Sequence, residues 1–276
     1  MERYGVMCNY TNIHNLPERV IKVIKGKRKD KAPDIKRMSV TDLIDEALPR
    51  YLYITEWDKI TRDYSDYLTM VQGTALHDRY EMMAGDDDDA EHKFEDDVGY
   101  YTIVGMADNY FDETILDLKQ TSVYGPQYKI NKWTAQTNIY AWQRRKRGQV
   151  VNKILIDVWY RNWKDGNKFW KGYPPIPYEC IELDLWTFEQ QQGYIDSQIE
   201  YHYMNSNTEC SNKQKGVRFE AYKGTNKTPS KVGDTYEEVA EYVSKAPKNL
   251  KFDIRMSEPR FCAKYCKAGS VCPYNK

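Results

Sequence analysis

The chain has 276 residues, 41% hydrophobic and 30% charged, with Lys+Arg and Asp+Glu each counting 41 and a formal net charge of zero. That length suffices to bury a core in one compact unit, and no apolar run is long enough to cross a bilayer. Charge neutrality removes any bulk field for nucleic acid, so such affinity must come from local patches.

The opening MERYGVMCNYTN lacks the apolar stretch of a secretory signal, so a cytoplasmic protein with no membrane partner is expected. The basic run KGKRKDK (Lys25 to Lys31) falls in loop and short helix. SVTDLIDEALPRYLYITEW predicts a helix, with Ser39 or Thr41 as N-cap and Pro49 ending or kinking it. GTALHDRYEMMAG predicts a second helix that carries His77 and Glu81 at i and i+4, on one face. The acidic DDDDAEHKFEDD (Asp86 to Asp97) reads as a solvated separator.

GYYTIVGMAD and TILDLKQT, rich in β-branched and aromatic residues and joined by NYFDE, predict two adjacent antiparallel strands. NKWTAQTNIYAWQRRKRG predicts a helix ending at Gly148; its final Arg144 to Arg147 is either a phosphate-binding ridge or cations favoured by the helix dipole. VVNKILIDVWYRNW and PYECIELDL predict a hairpin around a loop from Lys164 to Pro177, with Cys180 in the core. LWTFEQQQGYIDSQIEYHYM predicts a long helix. A polar stretch from Asn205 to about Asp234 reads as a surface excursion, and DTYEEVAEYVSKA as a short helix before a cysteine-rich tail. The order implies the α/β class, a mixed central sheet flanked by helices.

Asp108 ends one predicted strand and Asp117 lies on the next, so a hairpin brings them within reach of each other. Asp117 and Lys119 are two apart and share a face, while Leu118 points the other way. Two carboxylates and a backbone carbonyl are hard oxygen ligands of the kind Mg²⁺ or Mn²⁺ takes, and a lysine beside them could orient a water or stabilise a pentacovalent phosphorus. The rival reading is a pair of strand-end charges, worth ~0.2–1 kcal/mol.

Four short motifs occur in order: Gly73-Thr-Ala-Leu-His77-Asp-Arg-Tyr-Glu81, Gly105-Met-Ala-Asp108, Asp117-Leu-Lys119 with Thr121, and Gln136-Thr-Asn-Ile-Tyr140. In that order, over about residues 39 to 160, they resemble the RecB-like branch of the PD-(D/E)xK nuclease superfamily, which includes phage exonucleases and CRISPR-associated RecB-like nucleases. The resemblance implies a restriction-endonuclease-like core and a metal-dependent deoxyribonuclease, expected to be an exonuclease of phage or bacterial recombination or DNA-end processing, acting on DNA, with a recombination or helicase partner left open. It implies His77, Asp108, Asp117 and the Leu118 carbonyl as ligands of Mg²⁺ or Mn²⁺, and Lys119 as the catalytic lysine. Glu81 becomes a supporting or second-metal carboxylate, and Gln136, Tyr140, Arg144 and Arg145 become DNA contacts. The alternative is a catalytically silent nucleic-acid-binding or scaffold protein of the same fold. One nuclease domain is expected, with an N-terminal helical part (1–65), a core (66–204), a polar insertion with a short helix (205–250) and a cysteine tail (251–276).

Cys262, Cys266 and Cys272 cluster within the last fifteen residues, which suggests a metal or cluster site more than a disulfide framework. Members of the same branch hold a [4Fe–4S] cluster with one upstream and three C-terminal cysteines. Where they open a Cys-Pro-Arg stretch, this chain has Leu48-Pro49-Arg50. Cys8 is the N-terminal candidate for the fourth ligand; zinc, or three reduced thiols and no metal, are the alternatives. Cys180 and Cys210 have no partner at ligand spacing.

Overall fold

The computed structural model describes residues 9–26, 32–85, 89–247 and 249–275. Near the start, β1 (Asn9–Thr11), α1 (Glu18–Lys25) and β2 (Arg37–Ser39) precede the predicted first long helix, which is broken into α2 (Val40–Leu43) and α3 (Ala47–Thr55). Ser39 caps α2 by accepting from the Asp42 amide at 3.0 Å. Pro49 sits in the first turn of α3, where a missing N–H costs nothing, so it neither ends nor kinks that helix. After β3 (Thr61–Asp63) comes α4 (Leu68–Glu81), the helix of His77.

The strand expected from GYYTIVGMAD forms, and the acidic stretch before it, expected as a solvated separator, contributes a strand of its own. β4 (Lys93–Val98) pairs antiparallel with β5 (Tyr101–Met106), and β2 adds parallel to β5, giving the sheet order β2-β5-β4. The chain then breaks at Ala107 and Asp108 and starts a second sheet with β6 (Asn109–Phe111) and β7 (Thr114–Thr121). Their turn places Asp112 and Glu113 at φ of 43° and 57°, the left-handed pair that a two-residue hairpin requires. So β7 pairs with β6, not with β5 as the sequence suggested.

Helix α5 (Pro126–Arg145) crosses over from β7 to β8 (Lys153–Tyr160), which runs parallel to β7, and β9 (Tyr178–Glu182) returns antiparallel as predicted. Helix α6 (Phe188–Asn205) packs on α5. Register puts Ile115, Asp117 and Lys119 on the same face as Ile154, Ile156 and Val158. That face meets Ile139, Trp142 and Ile195 of the two helices in the main core. Each fully buried aliphatic side chain of this kind contributes about 1.5–3 kcal/mol. Cys180 faces the opposite side and is exposed, not core as expected.

Residues after α6 are more structured than a polar excursion. After α7 (Asn212–Lys215), β10 (Phe219–Lys223), β11 (Lys231–Gly233) and β12 (Phe252–Met256) form a three-stranded sheet, with α8 (Tyr236–Ser244) packed on it and α9 (Arg260–Lys264) following. The segments sequence reading assigned to insertion and tail thus share one sheet. Mixed sheets flanked by helices define an α/β protein, and no helix among the described residues is long and apolar enough to cross a membrane.

One glycine position decides how the layers meet. A Cβ on Gly105 of β5 would lie 1.9 Å from Oε1 of the fully buried Gln143, so only glycine lets α5 approach β5 this closely. Gly73 on α4 has open space around it, so packing does not require that motif glycine.

Candidate active site

β6 is short, and its pairing with β7 stops at Asn109 opposite Leu116. Beyond that point the edge of β7 has no strand beside it on this side, and Asp108 takes over with its side chain. The Leu118 amide donates to Asp108 Oδ2 at 2.5 Å, replacing a ladder bond. Asp108 Oδ1 faces His77 Nδ1 at 2.9 Å, which ties α4 to the break between the two sheets. Asp108 holds the His77 imidazole above its ordinary range, with burial opposing and Asp117 adding. The contact Leu118 makes with Asp108 is through its N–H.

Asp117 comes from β7, continuing the register opposite Asp108, and is 2% exposed. Burial pushes its carboxyl up from the usual range, Lys119 opposes, and Asp108 adds to the rise. Lys119 shares its face and forms an ion pair with Asp117 Oδ2. That oxygen is buried, and the Lys119 ammonium is its charge partner. As the side chains stand, no group of three His, Cys, Asp or Glu among the described residues is arranged around a single metal ion. The oxygens and imidazole here are instead engaged in His77–Asp108 and Asp117–Lys119 pairs.

Gln136 and Tyr140 lie on α5 above this face. Gln136 Nε2 donates to the Tyr140 hydroxyl at 2.8 Å. Burial, then the charges of Asp117 and Asp108, raise the Tyr140 phenol far above its ordinary range, so it stays neutral. At 6% exposed, Tyr140 is buried beneath the site, and Gln136 is half-buried.

Two predicted DNA contacts are corrected. Arg144 is 1% exposed, with Nη1 donating to Asp89 at 2.7 Å and the guanidinium stacked 4.1 Å from the Tyr110 ring centroid. Arg145 donates to the Trp186 and Val151 carbonyls at 2.8 and 2.9 Å. Both guanidinium groups turn inward, because the helix carrying them is covered by the acidic loop and α6. The opposite end of α5 supplies cations that sequence reading missed. Lys129 donates to Thr121 Oγ1 at 3.3 Å, and burial followed by Arg161, Lys132 and Lys119 lowers its ammonium from the ordinary value. Lys129, Lys119 and Arg161 thus bring three cations toward the end of β7, where the Arg161 amide donates to the Thr121 carbonyl, while the Lys132 ammonium is paired with Asp45.

Glu81 is exposed at the end of α4. A missed carboxylate, Glu91, lies between it and the site: its amide donates to the Asp108 carbonyl at 3.2 Å, and burial, then Glu81 and Asp108, raise its carboxyl. Its φ of 50° puts its backbone in the left-handed region. Nothing in a run of acidic residues singles it out.

The cysteines form a separate assembly. Cys210, from the connection between α6 and α7, shares one pocket with Cys262, Cys266 and Cys272, walled by Leu48 and Pro49 of α3. Burial pushes the Cys210 thiol up to about 12, with Glu46 and then the other three thiols adding. Cys8 lies outside the described residues.

No family model matches the chain, and no curated protein matches it. Among matching solved structures is the crystal structure of SSO0001, 18% identical, with 71% of this chain and 89% of that chain covered at a TM-score of 0.49. A likeness at that level says nothing of function.

Proposed function

We propose that the protein is a metal-dependent deoxyribonuclease of the RecB-like PD-(D/E)xK kind, with a restriction-endonuclease-like core. The observation that carries this is the meeting of His77, Asp108, Asp117 and Lys119 at the one place where β6 ends and leaves β7 without an edge partner. Such a break leaves together, at the end of a strand pairing, charged groups that are otherwise costly to bury.

The donor set suits Mg²⁺ or Mn²⁺: two carboxylates, one of them with a buried oxygen, beside an imidazole. Bound there, the ion would lower the pKa of a water and offset charge on the phosphodiester. Asp108 orients the His77 ring and braces the Leu118 amide, so α4 and β7 keep one geometry. Lys119 places its ammonium where it can steer the attacking water and stabilise the pentacovalent phosphorus. The water oxygen forms the new bond to phosphorus, the bond to the leaving sugar oxygen breaks, and that oxygen takes up a proton. Lys129 and Arg161 supply positive charge for the neighbouring phosphates.

The test is cleavage of end-labelled DNA by the purified protein with Mn²⁺. Lys119→Ala and Asp117→Asn should each lower the rate by about 10²-fold or more. Wild-type rates in both variants would remove the assignment. A silent binding protein is the second reading, favoured by the two closed ion pairs. It predicts DNA binding without cleavage and no Mn²⁺ uptake that depends on Asp108 and Asp117.

A further inference from the structure

Cys210 stands far from the terminal cysteines in sequence and has no partner at ligand spacing, yet it faces the same pocket as Cys262, Cys266 and Cys272. Its neighbours hold it there from both sides. Ser211 donates to Glu46 Oε1 at 2.6 Å, fixing this connection to the start of α3, and Glu209 pairs with Lys215 on α7. The tail is pinned as firmly. Lys267 pairs with Asp42, the Thr61 amide donates to Ser270 Oγ at 3.3 Å, and Asn275 Nδ2 donates to the Gly269 carbonyl at 2.8 Å. A Cβ on Gly269 would come 2.5 Å from the Cys262 carbonyl, so glycine lets the loop fold back tightly between the cysteines.

Four reduced thiols in one apolar pocket are an unusual way to fill a core. None of the four is in a disulfide. Thiols convergent on one enclosed space form the set that tetrathiolate metal groups take. A single zinc ion needs all four sulfurs around one centre, whereas an iron–sulfur cluster takes one thiolate at each of several irons and suits a wider cage. The four thiols line one apolar pocket walled by α3, the α6–α7 connection and the tail, surroundings of the kind a buried cluster takes.

We propose that Cys210, Cys262, Cys266 and Cys272 together ligate a [4Fe–4S] cluster, with Cys210 as the fourth ligand in place of any N-terminal cysteine. Leu48, which lines the same pocket, occupies with its side chain the part of the wall nearest α3. The cluster joins three regions distant in the chain: α3, the α6–α7 connection and the tail. This proposal does not depend on the nuclease reading.

The experiment is metal and sulfide analysis of the full chain purified without oxygen, with its visible absorption. About four irons and four sulfides per chain are expected. Cys210→Ser should lose the absorption and most of the iron, while Cys180→Ser keeps both. Wild-type iron and sulfide in Cys210→Ser would overturn the proposal, as would one zinc per chain with no iron. Native thiol alkylation of the unaltered protein provides a measurement that needs no variant. Cys180 should label at once, and Cys210 only with the terminal three, after the cluster is stripped by chelator and oxidant. Cys210 labelling as fast as Cys180 in the iron-loaded protein, or Cys8 protected in its place, would refute the assignment.

Discussion

Gly105→Ala tests the packing that positions Asp108. The added methyl would come within 1.9 Å of Gln143 Oε1 and 3.0 Å of Val40 Cγ2, so the Gln143 amide must move. That amide is fully buried and donates from Nε2 to Asp96 at 3.0 Å, in the group that also joins Arg147 and Lys146 to Asp96. Overpacking costs about 1–3 kcal/mol and a lost hydrogen bond to a charged acceptor about 1.5–3 kcal/mol more. A loss of about 2–5 kcal/mol is therefore expected, read as a lower urea midpoint at unchanged slope. Gln143→Ala in the same chain removes the obstructing atoms, so the double variant should be more stable than the summed single effects by at least about 1 kcal/mol. Gly105→Ala within about 0.5 kcal/mol of wild type, or strictly additive effects, would refute the close-approach account.

Arg144→Ala should destabilise by about 3 kcal/mol, because it empties a buried site where the guanidinium stacks on Tyr110 and pairs with Asp89, yet leave the salt dependence of DNA binding unchanged. Lys129→Ala and Arg161→Ala should do the reverse, keeping the melting temperature and each lowering the salt slope by about one. Asp63 accepts from the Ile13 and Ser65 amides and the Thr11 hydroxyl; burial opposes, but these bonds hold its carboxyl well below the ordinary value. A depressed folded-state pKa contributes stability above the unfolded value that is lost as pH falls, so Asp63→Asn should flatten the stability loss below about pH 4 in acid titrations followed by circular dichroism. Leu48→Cys in the Cys210→Ser chain should restore visible absorption, since residue 48 lines the same pocket. Failure to restore it in a folded chain would place the Leu48 side chain outside thiolate reach.

Much of the architecture was legible locally. TILDLKQT is β7 residue for residue, because alternation and β-branching mark a strand without outside help. The His77 and Gln136 helices form where the sequence placed them, each starting earlier in the chain than expected. The strand before Asp108 was misjoined, since a two-residue break between sheets leaves no compositional mark. Arg144 and Arg145 illustrate another limit: a cationic helix end reads the same whether solvent or a carboxylate waits beside it.

Sequence by itself determined which residues could do chemistry here, through the Asp-x-Lys alternation that places Asp117 and Lys119 on one face. It also identified the terminal cysteine trio. Tertiary structure decided what those residues meet. The end of β6 turns Asp108 toward Leu118 and His77, the crossover of α5 gathers Lys129 and Arg161 beside Lys119, and the α6–α7 connection carries Cys210 to the other thiols. Each of these contacts joins segments remote in the chain, and their partners are chosen by packing of the whole core, which no local pattern records.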